Sequence, residues 1–364
     1  MSAPFQEPGT AFAVPVVDIA PWVDVEAYDD EARAHVAGEI DAACRTVGFV
    51  QVRGHGVPEP ALEGLAGAMD DFFGLPMADK LALRVPANRG YSAPRSESLS
   101  LSLGVEPAGR MNDFFEAFNV GVEARSFAGL SLDEADYGLN VWPDVPGFRE
   151  RVEAYFAEAG RVARTLLRVF AVALELPADH FAGLTDHSID VLRMNSYALP
   201  PGEVTLDGDL TGMGEHTDFG LVTVLWADQV AGLQVLGRPS AGQQSGWHDV
   251  TPVDGALLVN LGDLTARLTN DRWSSTLHRV KPPVVDGRIL RRRSAAYFHD
   301  GNVDAVVATL PSHLDATGWG GATDEAYGPV SVRDHIAAKL AGSRQGRVNV
   351  SAVREAARVL ASRD

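Results

Sequence analysis

The spacing of apolar and polar residues divides the chain into two textures. Up to about residue 186 apolar positions recur mainly at helical intervals. Phe148, Val152, Tyr155, Phe156, Val162, Leu166, Phe170 and Leu174 form a mostly helical stripe, which predicts a helix over about 146–176. Helices are also predicted at about 28–46 and 58–74, beside short strands in "AVPVVDIAPW" and "GFVQVRG". From about residue 190 the period shortens. The runs "VLRMNSYAL", "GLVTVLWAD", "GLQVL", "WHDV", "ALLVNLGD", "STLHRVKPPVV" and "RRRSAAYFHD" read as strands parted by turn residues, the texture of a sandwich or barrel. Helical spacing returns in "VRDHIAAKLAG" and "SAVREAARVLAS". The stretch 81–113 is punctuated by Ser, Pro and Gly and has no clear period. It reads as a long loop, with 90–113 a candidate lid. The pattern predicts a mixed α/β (α+β) fold with a β core. One unit over 1–364 is expected, with a helical and mixed region at 14–186, a β core at 187–310 and C-terminal helices at 328–364.

Composition narrows the function. Lys+Arg number 31 against 49 Asp+Glu, a net charge of −18, and such a field repels phosphate backbones and anionic lipid. The expected partner is therefore a small molecule, with no nucleic acid and no membrane. The single cysteine, Cys44, excludes a disulfide framework and a Cys-rich metal site, and reads as a small core residue of the 28–46 helix. The first residues lack the basic-then-apolar pattern of a signal peptide, and no run approaches the ~20 apolar residues of a membrane span. A cytoplasmic location is expected.

The candidate chemistry begins at "GEHTDFGLVTVL". A strand alternates faces, so His216 and Asp218 would share a face roughly 6.6 Å apart along the backbone and could converge on one cation. His278 follows in another predicted strand. Two imidazoles and one carboxylate on one side of a metal, with the other positions open, is the facial triad of non-haem Fe(II) oxygenases. "LRRRSAAYF" adds Arg292 and Ser294, again two apart, and alternation turns Arg292 inward while Arg291 and Arg293 turn out. A guanidinium forks onto a carboxylate and a hydroxyl adds a donor, so the pair suits an acid group. Asn195 and Tyr197 are spaced to bond the same ligand, although Asn195 reads equally well as a partner for backbone groups. Asp263 in "NLGD" reads as a turn residue, Arg95 and Arg110 as exposed loop arginines, and the other histidines as lying outside the pattern.

These segments resemble the isopenicillin N synthase-like family of Fe(II)- and 2-oxoglutarate-dependent oxygenases. The resemblance is carried by "VPVVDIAPW", "VGFVQVRGHGVP", "GYSAPRSESL" and "DFFEAFNVG" in the first half. In the second half it is carried by "RMNSYALPP", "GEHTDFGLVTVLWADQVAGLQVL", "GALLVNLGDLTARLTNDRWSSTLHRV" and "RRSAAYF". It implies a double-stranded β-helix, or jelly roll, wrapped by N- and C-terminal helices. It implies Fe(II) on His216, Asp218 and His278. It also implies 2-oxoglutarate as co-substrate on Arg292 and Ser294, with Tyr197 and Asn195 assisting. With O2, decarboxylation of the keto acid would yield a ferryl oxidant that hydroxylates, desaturates or cyclises a small molecule. Two departures stand out: the family's aromatic-Tyr-Pro-Pro run reads "SYALPP", and Ala295-Ala296 follow the serine. Two further readings stay open at this point. One is an iron oxidase of the same family that turns the Arg-x-Ser pair to its substrate's carboxylate and uses no 2-oxoglutarate. The other is a non-catalytic jelly-roll binding protein.

Overall fold

The structure is a computed structural model in which residues 12–85, 88–103, 113–197, 212–237, 246–282, 284–285, 288–313 and 327–345, with 349, 352 and 357, are described. The chain enters through β1 (Val16–Asp18), α1 (Ala20–Val23), α2 (Asp30–Thr46), β2 (Phe49–Arg53), α3 (Glu59–Phe73) and α4 (Met77–Leu81). The start of α2 is local chemistry: the Asp29 carboxylate caps the Ala32 N–H at 2.9 Å, with Asp30 and Glu31 in the first turn. β3 (Gly90–Ser92), a 3₁₀ turn (Leu99–Leu103) and β4 (Glu116–Gly121) follow. The supposed 81–113 loop thus contains a strand and a turn, too short to impose a period on their sequence; its 104–112 part lies outside the described residues, Arg110 included.

α5 (Phe148–Ala173) occupies the centre of the predicted 146–176 helix and buries its stripe against α2, α3 and the main sheet. After α6 (Ala182–Thr185) come β5 (Val191–Ser196), β6 (Met213–His216), β7 (Val222–Ala227), β8 (Leu233–Gly237), β9 (Gly246–Asp249) and β10 (Leu257–Leu261). Then follow α7 (Asp263–Leu268), β11 (His278–Val280), a hairpin of β12 (Val284–Val285) and β13 (Arg288–Ile289), β14 (Arg293–His299) and α8 (Val332–Gln345). The predicted strand at 275–285 is therefore split between β11 and the hairpin. Of the second predicted C-terminal helix only Ala352 and Ala357 are described, and the departing prolines of "SYALPP" fall outside the described residues.

The strands form an eight-stranded sheet, in the order β1-β2-β10-β7-β14-β5-β4-β3, and a four-stranded sheet, β6-β11-β8-β9. Alternation gives the large sheet two unlike faces. Leu192, Met194, Ala295, Tyr297, Val224 and Val259 join the hydrophobic core beneath α5. Burying side chains of this size stabilises the fold by about 1.5–3 kcal/mol each. The intervening residues form cross-strand rows on the other face: Asn195 beside Ser294; Arg193 beside Ala296 and Leu225; Val191 beside Phe298, Thr223 and Asn260. All of these line one cavity of about 110 Å³, closed on the far side by Met213, His216, Leu233, His278 and Val280 of the smaller sheet. Two facing sheets, antiparallel but for the β1–β2 pair, around a shared interior and clad by helices make the jelly-roll architecture that the resemblance implies. Among the described residues no helix is long and apolar enough to cross a membrane.

Candidate metal centre

His216 and His278 are direct partners on the antiparallel strands β6 and β11, and their rings lie 4.2 Å apart. Asp218 arrives differently from the sequence expectation. β6 ends at His216, so Asp218 does not share a strand face with it; it sits on the turn that leads to β7. That turn is held from behind. The Asp263 N–H donates to the Asp218 carbonyl at 2.9 Å, and Gly262 N to Leu221 O at 3.1 Å. A Cβ on Gly262 would lie 2.1 Å from the Gly220 carbonyl oxygen, so the close approach of α7 to this turn requires glycine.

The three side chains converge. Asp218 Oδ1 is 3.8 Å from His216 Nε2 and 3.7 Å from His278 Nε2, and one ligand atom from each lies within 4.8 Å of the others. Bonds of about 2.1 Å at right angles place neighbouring donor atoms about 3 Å apart, so a small inward adjustment closes the set on one ion. All three residues are buried. Their rear atoms are fully engaged. His216 Nδ1 meets the Gly214 carbonyl at 2.8 Å and His278 Nδ1 the Thr276 carbonyl at 3.1 Å. A carbonyl only accepts, so both rings carry their proton on Nδ1 and present the Nε2 lone pair. Asp218 Oδ2 accepts from Asn260 Nδ2 at 2.6 Å and from the Thr223 hydroxyl, leaving Oδ1 toward the imidazoles. Burial, with His278 alongside and Asp218 opposing, pushes His216 down to about 3, so its imidazole is neutral at physiological pH.

Arg292 precedes β14, and its guanidinium packs 4.9 Å over the Tyr197 ring. The alternation expected of the RRR run holds: Arg292 and Ser294 are buried and line the cavity, Arg291 is exposed, and Arg293 packs outside against Asp70 of α3. Arg292 Nε donates to the Val230 carbonyl at 3.2 Å, while its buried Nη1 has no hydrogen-bond partner among the described residues. Burial raises the Tyr197 phenol, with Arg292 opposing, so it stays a protonated donor. Asn195 also lines the cavity, and its Oδ1 accepts from Arg193 Nε at 3.2 Å. Arg95 is exposed and Cys44 is buried in α2, as expected from the sequence.

Several residues that shape the centre escaped the sequence reading. Asp263 is neither a turn residue nor positioned as a ligand. It opens α7, fully buried, and binds Lys339 Nζ of α8 at 2.6 Å and the Ser275 hydroxyl at 2.7 Å. Burial alone would raise its carboxyl; Lys339 and His335 hold it below the usual value. Thr217, between His216 and Asp218, donates to Asp263 at 3.2 Å and accepts from Lys339 at 3.3 Å. Asn260 could have been found from alternation in "LLVNLGD", which places it inward. Lys339 carries no local signal.

Comparison with known proteins agrees with this architecture. Residues 14–145 match the non-haem dioxygenase in morphine synthesis N-terminal family, and residues 188–301 match the 2OG-Fe(II) oxygenase superfamily. The chain is 33% identical over 332 residues to the 2-oxoglutarate-Fe(II) type oxidoreductase hxnY of Emericella nidulans, covering 89% of this chain and 88% of that protein. It is 34% identical over 303 residues to validamycin A dioxygenase of Streptomyces hygroscopicus subsp. limoneus, covering 82% and 80%. Among solved structures, the dioxygenase for auxin oxidation in rice superposes with a TM-score of 0.65 at 25% identity, covering 94% of this chain and 99% of that one. The chain belongs to the 2-oxoglutarate–Fe(II) oxygenase superfamily. It is a non-haem dioxygenase that uses Fe(II), 2-oxoglutarate and O2 and acts on a small molecule. Of the readings left open by the sequence, the family carries the one that consumes 2-oxoglutarate.

Proposed function

We propose that His216, Asp218 and His278 hold the iron of this dioxygenase, and that Arg292 and Ser294, with Tyr197 and Asn195 beside them, hold the distal carboxylate of 2-oxoglutarate. The observation that carries the reading is the convergence of three buried ligand atoms whose opposite sides are already bonded to protein. The donor set suits ferrous ion: two neutral nitrogens and one carboxylate, gathered on one side. The anchor suits an acid: a buried cation with an unpartnered N–H, next to two hydroxyls, on the wall of the cavity. When bound, iron and the keto acid together supply the oxidising power that O2 alone cannot direct.

The chain's own part is to bind, orient and exclude. Gly214 O and Thr276 O fix the imidazole tautomers. Asn260 and Thr223 fix the carboxylate rotation. Phe298, Leu225 and Leu340 keep water from the cavity walls. The whole chain, with its helical first part and C-terminal helices, serves as one oxygenase unit in this reading.

The test is succinate formation from 2-oxoglutarate by the iron-loaded protein, with Fe(II) binding measured separately. His216→Ala, Asp218→Ala and His278→Ala should each remove Fe(II) binding and succinate. Arg292→Ala should retain Fe(II) and raise the 2-oxoglutarate KM. Unchanged iron affinity in the triad variants would overturn the ligand assignment, and an unchanged KM would overturn the anchor.

A further inference from the structure

The same cavity has a second polar surface, on the β4–β5 side of the sheet. Asn119 of β4 and Arg193 of β5 are direct cross-strand partners, both buried, and both line the cavity. Their hydrogen bonds fix what each presents. Arg344 of α8 can only donate, and its Nη2 lies 2.6 Å from Asn88 Oδ1. That oxygen also accepts from Asn119 Nδ2 at 2.9 Å. The Asn119 amide is therefore oriented with its nitrogen toward Asn88. Its Oδ1 is a buried acceptor without a hydrogen-bond partner among the described residues. Arg193 uses N–H groups on Glu97 at 2.9 Å and Asn195 at 3.2 Å, out of the five that a guanidinium carries. Glu97 is shared with Arg344 at 3.6 Å, and because Asn119 Oδ1 can only accept, this wall calls for a group that brings its own donor and not for a bare carboxylate.

The geometry points to a substrate-recognition subsite at Asn119 and Arg193, which takes a neutral group carrying a hydrogen-bond donor and an acceptor side by side, as in the edge of a lactam, imide or other amide. The donor meets Asn119 Oδ1 and the acceptor faces Arg193. The rest of the substrate rests on the apolar wall of Ala296, Phe298, Ile336 and Leu340. Thr223, which touches Asp218, and Asn119 stand on strands of the large sheet separated by β14 and β5. This inference rests on the cavity being the substrate site of the oxygenase.

Calorimetry on the full chain loaded with Mn(II), with and without 2-oxoglutarate, tests it. The probes are 2-pyridone, 2-piperidone and glutarimide, each beside its N-methyl derivative. The expected result is that at least one N–H compound binds and its methylated partner binds roughly tenfold or more weakly. Asn119→Leu should erase that gap while leaving 2-oxoglutarate affinity unchanged. The comparison of methylated and unmethylated probes on the unaltered protein does not depend on the variant folding. Equal binding of each pair, no binding by any N–H compound, or a gap that survives in a folded Asn119→Leu protein would each overturn the proposal. A metal-loaded protein that fails to bind 2-oxoglutarate would instead remove the anchor assignment at Arg292, and the lactam comparison would still be read.

Discussion

The two ends of the cavity are built on opposite terms. Around His216, Asp218 and His278 every rear atom is bonded to protein: two imidazole N–H groups on carbonyls, and one carboxylate oxygen held by Asn260 and Thr223. At the other walls, buried polar atoms stand without hydrogen-bond partners among the described residues, notably Arg292 Nη1 and Asn119 Oδ1. An unpaired buried polar atom costs about 1–3 kcal/mol, so one that lines a cavity is a place where a ligand can restore the bond. The first region is preorganised to hold its ligand atoms still. The second is organised to be completed by what binds.

Breaking the first region should have the largest effects. Asp218→Ala removes the only carboxylate of the triad, and Fe(II) binding and succinate formation should fall below detection in a metal-binding assay run beside a turnover assay. Lys339→Met attacks the brace behind the turn. It leaves the Asp263 carboxylate buried without its ammonium, a loss of about 3–5 kcal/mol readable by urea unfolding. Fe(II) affinity should fall with it, because Asp263 also bonds Thr217 and the Asp218 carbonyl; Lys339→Arg should restore part of both. Arg292→Ala belongs to the second region. It should weaken 2-oxoglutarate by about 1.5–3 kcal/mol, some 10- to 100-fold in KM, with iron affinity intact. Equal losses of iron and keto acid in that variant would erase the distinction between the two ends. Asn260→Ala, which frees the carboxylate to rotate, should cost roughly 10- to 100-fold in metal affinity with little change in fold.

The smallest effect is one of pH. Burial, followed by Lys339 and Arg267, lowers His335 from 6.5 to about 4, with Asp263 opposing. Above pH 6.5 this histidine is neutral whether the chain is folded or not. Between 6.5 and about 4 the unfolded chain takes up a proton that the folded chain refuses, so stability declines as pH falls through that window. The loss by about pH 5 is on the order of 2 kcal/mol. Thermal unfolding across roughly pH 4.5–7.5 should show the slope, and His335→Gln should flatten part of it.

The parts of the site that could be read in the sequence are those whose chemistry allows few residue types. His-x-Asp with a later His, and Arg-x-Ser on a strand, stand out because iron and a carboxylate restrict what can serve. The strands of the core were visible because one of their faces packs on α5 and the other lines a cavity, which leaves a period of two. The structure departs where the deciding partner is remote. Asp218 reaches its place through a turn braced by Asp263, far along the chain, and not through strand alternation. Asp263 reads as a turn residue until Lys339 is set beside it. Asn119 and Glu97 have no pattern of their own; their meaning comes from Arg193 and Arg344, which the fold brings to them from other elements.

α8 plays two parts at once. Ile336, Leu340 and Ser343 wall the chamber, while Lys339 and His335 grip the turn that carries Asp218. Exchanging this helix to admit a different molecule would therefore retune the hold on iron as well. Among relatives of this design, a change of diet and a change of metal hunger should travel together unless Lys339 and Asp263 are kept through the exchange.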